Sequence, residues 1–197
     1  MSASPALRRL AVIPARLGST RLPRKALLRE SGKYLFQHVA ERVLAAGCFD
    51  AVILATDAEE IAAAAREVGV EARLTSPDLA SGTDRVLAVV ASIPTARVVV
   101  NVQGDEPEME PRDLARLVEA LGTGRVPVVT LATPFREGED PSDPNAVKVV
   151  LSLEGEALYF SRAPVPFLRG PGRRLRHLGV YGFEREALEA FAGWPRS

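Results

Sequence analysis

The chain is poor in the residues from which covalent frameworks and metal clusters are built. Its 197 residues include one cysteine, Cys48, so it can form neither a disulfide framework nor a thiolate metal cluster. Histidine occurs only at His38 and His177, too sparse and scattered for a histidine metal site. Net charge is also missing, because 25 Lys and Arg balance 25 Asp and Glu. That balance argues against a general nucleic-acid binder, which would carry a basic excess. No apolar run is long enough to span a bilayer, and the opening Met1-Ser2-Ala3-Ser4-Pro5 lacks the apolar core of a signal peptide. The expectation is a cytoplasmic protein with neither nucleic acid nor membrane as a partner.

What the chain does have is enough length to bury a core, and one domain is the simplest count. Hydrophobic residues make up 47% and charged residues 25%, which places it among soluble globular proteins. Within this neutral composition one stretch is locally basic. Ile13 to Lys25 carries Arg16, Arg21, Arg24 and Lys25 together with Gly18, Ser19 and Thr20. Four cations on a short loop repel one another and gain little unless an anion receives them. A Gly-bearing turn after the first strand of an α/β unit brings backbone N–H groups near a phosphate, and Arg and Lys add their own donors. A polyphosphate cradle is one reading; a solvated basic loop is the other.

The periodicity alternates strand and helix. Leu10 to Ile13 predicts a buried strand, and Leu35, Val39 and Val43 share a helical face that ends at Gly47. Ala51–Ala55 predicts a second strand, followed by Asp57 and Glu60 at the spacing of a capping box. A helix bearing Ile61, Ala65 and Val68 leads to a strand over Val70–Leu74. A turn-rich loop from Thr75 to Arg85 opens a helix with Val86, Val90 and Ile93 inward. Val98–Gln103 predicts a central strand, and Pro111 starts a helix with Leu114, Leu117, Val118 and Leu121 on one face. After the strand at Val126–Thr133 the rhythm changes to an acidic loop and strands at Val147–Leu151, Ala157–Phe160 and His177–Phe183. The pattern predicts α/β architecture: a mostly parallel sheet with helices on both faces, and added strands towards the C-terminus.

A second chemical stretch, Gln103-Gly104-Asp105-Glu106-Pro107, falls at the predicted end of the central strand. In open α/β sheets ligands bind in the crevice at such carboxyl edges. Gly104 permits a sharp turn that aims Asp105 into the crevice. A carboxylate facing a phosphate cradle suits a divalent cation between them; a turn or helix-capping aspartate ahead of Pro111 is the alternative. Glu106 reads as a local hydrogen-bonding residue, and Asp57 as the cap already described.

These stretches occur in order with further segments. They are Pro14-Ala15-Arg16, Ser19-Thr20-Arg21-Leu22-Pro23 with Lys25, Ser81-Gly82-Thr83-Asp84-Arg85, Asn101 to Pro107, Asn145 to Val150, Tyr159-Phe160-Ser161-Arg162, and Arg176 to Gly182. Over nearly its whole length the chain resembles 3-deoxy-manno-octulosonate cytidylyltransferase, the CMP-Kdo synthetase of lipopolysaccharide assembly. The resemblance implies a Rossmann-like nucleotidyltransferase fold that couples CTP to the sugar acid Kdo with Mg²⁺ and releases pyrophosphate. It also implies a homodimer in the full-length family. Carried over by position, Arg16, Lys25 and Asp105 would be catalytic, with Asp105 holding Mg²⁺. Ala15, Arg16, Arg21, Lys25, Ser81, Gly82 and Thr83 would bind the nucleotide. Gln103, Arg162, His177 and Tyr181 would line the sugar pocket, with Arg162 facing the Kdo carboxylate. Lys148 would either add charge near the phosphates or stand as a strand lysine at the sheet rim. His38 has no such support and reads as surface or packing.

The chain also departs from the family pattern. Arg24 stands where the family carries glycine after Leu-Pro, and Ala26 replaces the second proline. Leu79 replaces a histidine near the nucleoside. Family sequences run on past the equivalent of Ser197 to a Gly-Val-Asp-Thr segment whose aspartate is the second metal ligand. The expectation for the chain as written is CTP binding with poor turnover. Two alternatives stay open: another sugar acid such as 8-amino-Kdo or sialic acid, or a catalytically deficient nucleotide-binding remnant.

Overall fold

A computed structural model describes residues 8–18, 22, 24–170 and 172–194. In chain order the elements are β1 (Arg9–Ala15), a 3-10 turn (Lys25–Leu27), α1 (Leu35–Ala45), β2 (Ala51–Thr56), α2 (Glu59–Glu67) and β3 (Glu71–Leu74). Next come α3 (Gly82–Ala91), β4 (Val98–Asn101), α4 (Pro111–Gly122), β5 (Val128–Pro134), β6 (Lys148–Leu151), β7 (Ala157–Ser161), β8 (Leu175–Glu184) and α5 (Arg185–Ala192). Packing divides the chain into two compact units, one formed by Met1–Val129 with Val180–Ser197 and the other by Thr130–Gly179.

In the first unit β3, β2, β1 and β4 lie side by side, all parallel. The second half of β8 adds an antiparallel neighbour to β4, with Val100 opposite Gly182 and Asn101 opposite Tyr181. Leu10, Ala11, Val12 and Ile13 are all fully buried, as expected of a parallel strand covered on both faces. Alternation sorts them. Leu10 and Val12, with Ile53, Ala55, Val99 and Phe183, pack against Val86, Val89 and Val90 of α3, Ile93 just past its end and Leu188 of α5. Ala11 and Ile13 point the other way, to the face where α1 and α4 meet each other. There α4 presses so closely on β8 that a Cβ on Gly182 would lie 2.2 Å from Leu117 Cδ2. Only the hydrogen of glycine fits.

The strand order reverses between β1 and β4, since the chain first builds outwards through β2 and β3 and then returns to the other side of β1. Loops leaving the carboxyl ends of β1 and β4 therefore diverge around a crevice, the usual ligand position in such sheets. This is the α/β architecture expected from the sequence, a mostly parallel sheet with helices on both faces.

Three local expectations are corrected. Asp57 does not cap α2, whose N-cap is Ala58 with no side-chain bond; its carboxylate is used elsewhere, as described below. The α5 helix was not anticipated, because its only buried residue is Leu188 and a single inward position sets no period. Lys148 is neither a rim residue nor a free charge. It is fully buried, and its Nζ donates to the carbonyls of Asp143 (2.9 Å), Ala146 (2.7 Å) and Arg162 (2.5 Å).

The second unit is built differently. β6 pairs antiparallel with β7 and with the first half of β8, placing Lys148 opposite both Ser161 and Arg176. Among the described residues of this unit, Lys148 and Val149 are the buried ones. The unit is held by strand pairing and by the lysine's three carbonyl bonds more than by an apolar core.

Candidate active site

The exit of β1 is the floor of the site. Pro14, Ala15 and Arg16 line two cavities of about 210 and 330 Å³, and Gln103 from the β4 loop lines both as well. The smaller cavity is completed by Leu79, Ala80 and Ser81 from the approach to α3 and by Gly82 and Arg85 of its first turn. The larger takes Lys25, Gly104 and Asp105 among its walls. Two glycines set how closely the walls approach. A Cβ on Gly104 would stand 3.0 Å from the Pro14 carbonyl oxygen, and one on Gly82 would stand 3.3 Å from Pro14 Cγ. Gly104 thus matters for the approach of two backbones.

Lys25 Nζ donates to Asp105 Oδ2 at 2.7 Å, with both side chains partly exposed. The structure joins the basic loop to the carboxylate of the β4 loop, residues 80 positions apart in sequence. Arg16 is exposed beside them. Arg21 lies outside the described residues, as do Ser19, Thr20 and Pro23.

At the other wall Ser81 forms a capping box with Asp84. Its hydroxyl accepts from the Asp84 N–H at 3.1 Å and donates to Asp84 Oδ2, while the Ser81 N–H donates to the same carboxylate at 3.0 Å. With the Ser81 hydroxyl committed to the cap, this turn has the backbone N–H groups of Gly82 and Thr83 and the Thr83 hydroxyl left to present to a ligand. The positive end of the helix dipole points the same way.

The four expected sugar-pocket residues divide between the units. Gln103 and Tyr181 belong to the first, where both attach to Asn101. Gln103 Nε2 donates to Asn101 Oδ1 at 3.2 Å, and Tyr181 is the strand partner of Asn101. Burial pushes the Tyr181 phenol pKa up. Arg162 and His177 belong to the second unit. Arg162 Nη1 donates to the Pro144 carbonyl at 2.7 Å. His177 Nε2 lies 2.8 Å from Thr130 Oγ1, and its ring meets Phe160 edge-on with centroids 4.9 Å apart. Burial pushes the imidazole pKa below its ordinary value.

Sequence reasoning missed one pair at this site. Asp57 Oδ2 accepts from Arg85 Nη2 at 3.0 Å, and Asp57 Oδ1 accepts from the Leu17 N–H at 3.2 Å. Arg85 is almost wholly buried. The signal available was a lone arginine at an inward helical position, next to Val86.

A site of this build, with a basic β1 loop facing a carboxylate across a topological switch point, has counterparts in known proteins. The family profile described as cytidylyltransferase matches residues 10–197. The chain belongs to the cytidylyltransferase family. It is 45% identical to the 3-deoxy-manno-octulosonate cytidylyltransferase of Acidobacterium capsulatum over 95% of this chain and 77% of that protein. It is likewise 45% identical to the enzyme of that name from Syntrophobacter fumaroxidans, over 96% and 78%. A solved structure of CMP:2-keto-3-deoxy-manno-octonic acid synthetase complexed with CTP superimposes with a TM-score of 0.90 at 39% identity, covering 96% of this chain and 79% of that one. This cytidylyltransferase is a CTP-dependent nucleotidyltransferase of the 3-deoxy-manno-octulosonate type. Among the described residues no helix is long and apolar enough to cross a membrane.

Proposed function

We propose that the chain couples CTP to 3-deoxy-D-manno-octulosonate, giving CMP-Kdo and pyrophosphate. The observation that carries this reading is the meeting of Lys25 with Asp105 beside Arg16, in cavities walled by Gly82 and Gln103. In the reaction the anomeric hydroxyl oxygen of the sugar forms a bond to the α-phosphorus of CTP. The bond from that phosphorus to the bridging oxygen breaks, pyrophosphate leaves, and the hydroxyl proton passes to solvent. Such transfers depend on positioning and charge neutralisation.

In this reading the residues divide the two substrates between them. Arg16 and Lys25, with Arg21, neutralise the triphosphate and hold the departing pyrophosphate. Ser81, Gly82 and Ala15 wall the smaller cavity, which suits a pyrimidine nucleoside, with Thr83 the next residue along the turn. In the first unit Gln103 and Tyr181 would face the sugar acid. In the second, which also carries His177, the guanidinium fork of Arg162 suits a carboxylate by its own chemistry.

Mg²⁺ fits the donors that are present. Among the described residues no three His, Cys, Asp or Glu side chains cluster. A half-exposed carboxylate beside a phosphate cradle is nonetheless the usual protein share of a site completed by phosphate oxygens. Asp105 would hold the ion, which when bound spreads the negative charge that builds on the phosphates.

The test is to incubate the chain with CTP and Mg²⁺ in separate arms containing Kdo, 8-amino-Kdo or sialic acid, following pyrophosphate and the CMP-sugar. Turnover with Kdo is expected. Preference for another sugar acid would overturn the substrate, and CTP binding without turnover in any arm would overturn the activity.

A further inference from the structure

Three loops leave the carboxyl edge of the parallel sheet near the smaller cavity, and one buried ion pair ties them together. Asp57 directly follows Thr56, the last residue of β2, and Thr56 is the strand partner of Ala15 at the end of β1. The register therefore sets Asp57 beside the first residues of the basic loop, and its Oδ1 takes the Leu17 N–H at 3.2 Å. Its other oxygen takes Arg85 Nη2 at 3.0 Å.

Arg85 lies in the first turn of α3, the turn that opens with Gly82. Its Nη1 donates to Thr75 Oγ1 and to the Ser76 carbonyl. Thr75 is tied in turn to β2, since its N–H and Oγ1 both reach the Thr56 carbonyl, at 2.8 and 3.0 Å. The loop after β1, the end of β2 and the approach to α3 therefore share one polar knot. Arg16 and Arg85 line the same cavity.

We infer that Asp57 and Arg85 are positioning residues for nucleotide binding: the pair holds the backbone beside Arg16 and the N-terminal turn of α3 at a fixed separation. Side chains exposed at 58% and 48%, such as those of Arg24 and Glu60 in their ion pair, gain little from pairing. At 4% and 16% exposure the Arg85–Asp57 pair is of another kind. A buried arginine needs its carboxylate, and loss of one partner strands the other. The geometry joins two walls of the cavity through side chains that serve neither a cap nor an apolar core.

The inference rests on the CTP reading above, so its test begins with CTP binding by the unaltered chain. Asp57→Asn keeps the shape but removes the charge, and its amide cannot accept from both Leu17 and Arg85 as the carboxylate does. By calorimetry well below the melting temperature, Asp57→Asn is expected to weaken CTP binding about tenfold, and Asp57→Glu to recover part of the loss. The KM for the sugar acid should stay within about twofold. Arg85→Lys, which keeps the charge but loses the fork, should lose CTP affinity in the same direction. Its effect combined with Asp57→Asn should be less than additive. A lower melting temperature with CTP affinity equal to that of the parent would overturn the positioning role and leave a purely structural pair. Failure of the unaltered chain to bind CTP would overturn the nucleotide reading and this inference with it.

Discussion

At the scale of the residue, the site holds charges that satisfy one another before a substrate arrives. Lys25 donates to Asp105 at 2.7 Å, so in the proposed role a nucleotide has to draw the lysine from that carboxylate towards its β- and γ-phosphates. The gain from the new contact is offset by the loss of the old one, and both side chains are partly exposed. Lys25→Ala is therefore expected to weaken CTP binding about tenfold, the lower end for charge-assisted bonds, and to change CMP binding little. Equal losses for CTP and CMP by calorimetry would place Lys25 away from the outer phosphates. His177 presents the opposite case, a polar ring held in a place that disfavours its charge. Burial pushes its pKa below 6.5, so the folded chain binds that proton less readily than the unfolded chain. The stability it contributes is fully present above about pH 6.5 and is lost as the pH falls through the lowered native value. His177→Gln can still meet the Thr130 hydroxyl but cannot titrate. Melting curves taken from neutral to acid pH should be flatter for it within that window, and an unchanged slope would mean that the ring gains no protection on folding.

At the scale of the element, the strands were legible because both faces of the parallel sheet are covered, so Leu10–Ile13 and Val98–Val100 read as unbroken apolar runs. The first four helices were legible from their single buried stripes. Asp57 was misread because its spacing to Glu60 mimics a capping box, whereas its true partner Arg85 stands 28 residues away. Lys148 could not be read at all, since the carbonyls that bind it come from loops whose conformation no periodicity encodes. Arg24 was flagged as a departure from glycine, and the backbone supplies the physical reason. It sits before the 3-10 turn with φ 56, in the left-handed region, and its side chain pairs with Glu60 on α2. Arg24→Gly and Arg24→Ala both remove that exposed pair, but only glycine also removes the Cβ clash, worth roughly 1 kcal/mol. Chemical denaturation should find the glycine variant more stable than the alanine variant by about that amount. The reverse order would show that the turn relaxes out of the left-handed region when the arginine is lost.

At the scale of the whole molecule, the two compact units differ in what keeps them folded. The first has strands buried on both faces, with α3 and α5 packed on one side and α1 and α4 on the other. Among the described residues of the second, Val149 is the one buried hydrophobic side chain, while Leu153, Leu158, Tyr159 and Phe167 stand exposed. Stability should be correspondingly uneven, because opening costs least where little apolar surface is covered. Lys148 provides the probe. Methionine can occupy much of its space, but it leaves the carbonyls of Asp143, Ala146 and Arg162 without their donor, a loss of about 3 kcal/mol. In hydrogen exchange, Lys148→Met should reduce protection of the Val149, Val150 and Phe160 amides about a hundredfold. The amides of Leu10–Ile13 should keep theirs, and CTP affinity should hold, since the proposed nucleotide residues all belong to the first unit. Equal loss of protection at Leu10–Ile13 would mean that the chain opens as one cooperative body, with Lys148 contributing to its global stability. Undiminished protection around Val149 would mean that water replaces the ammonium at no cost, and the lysine would then not be what holds that unit together.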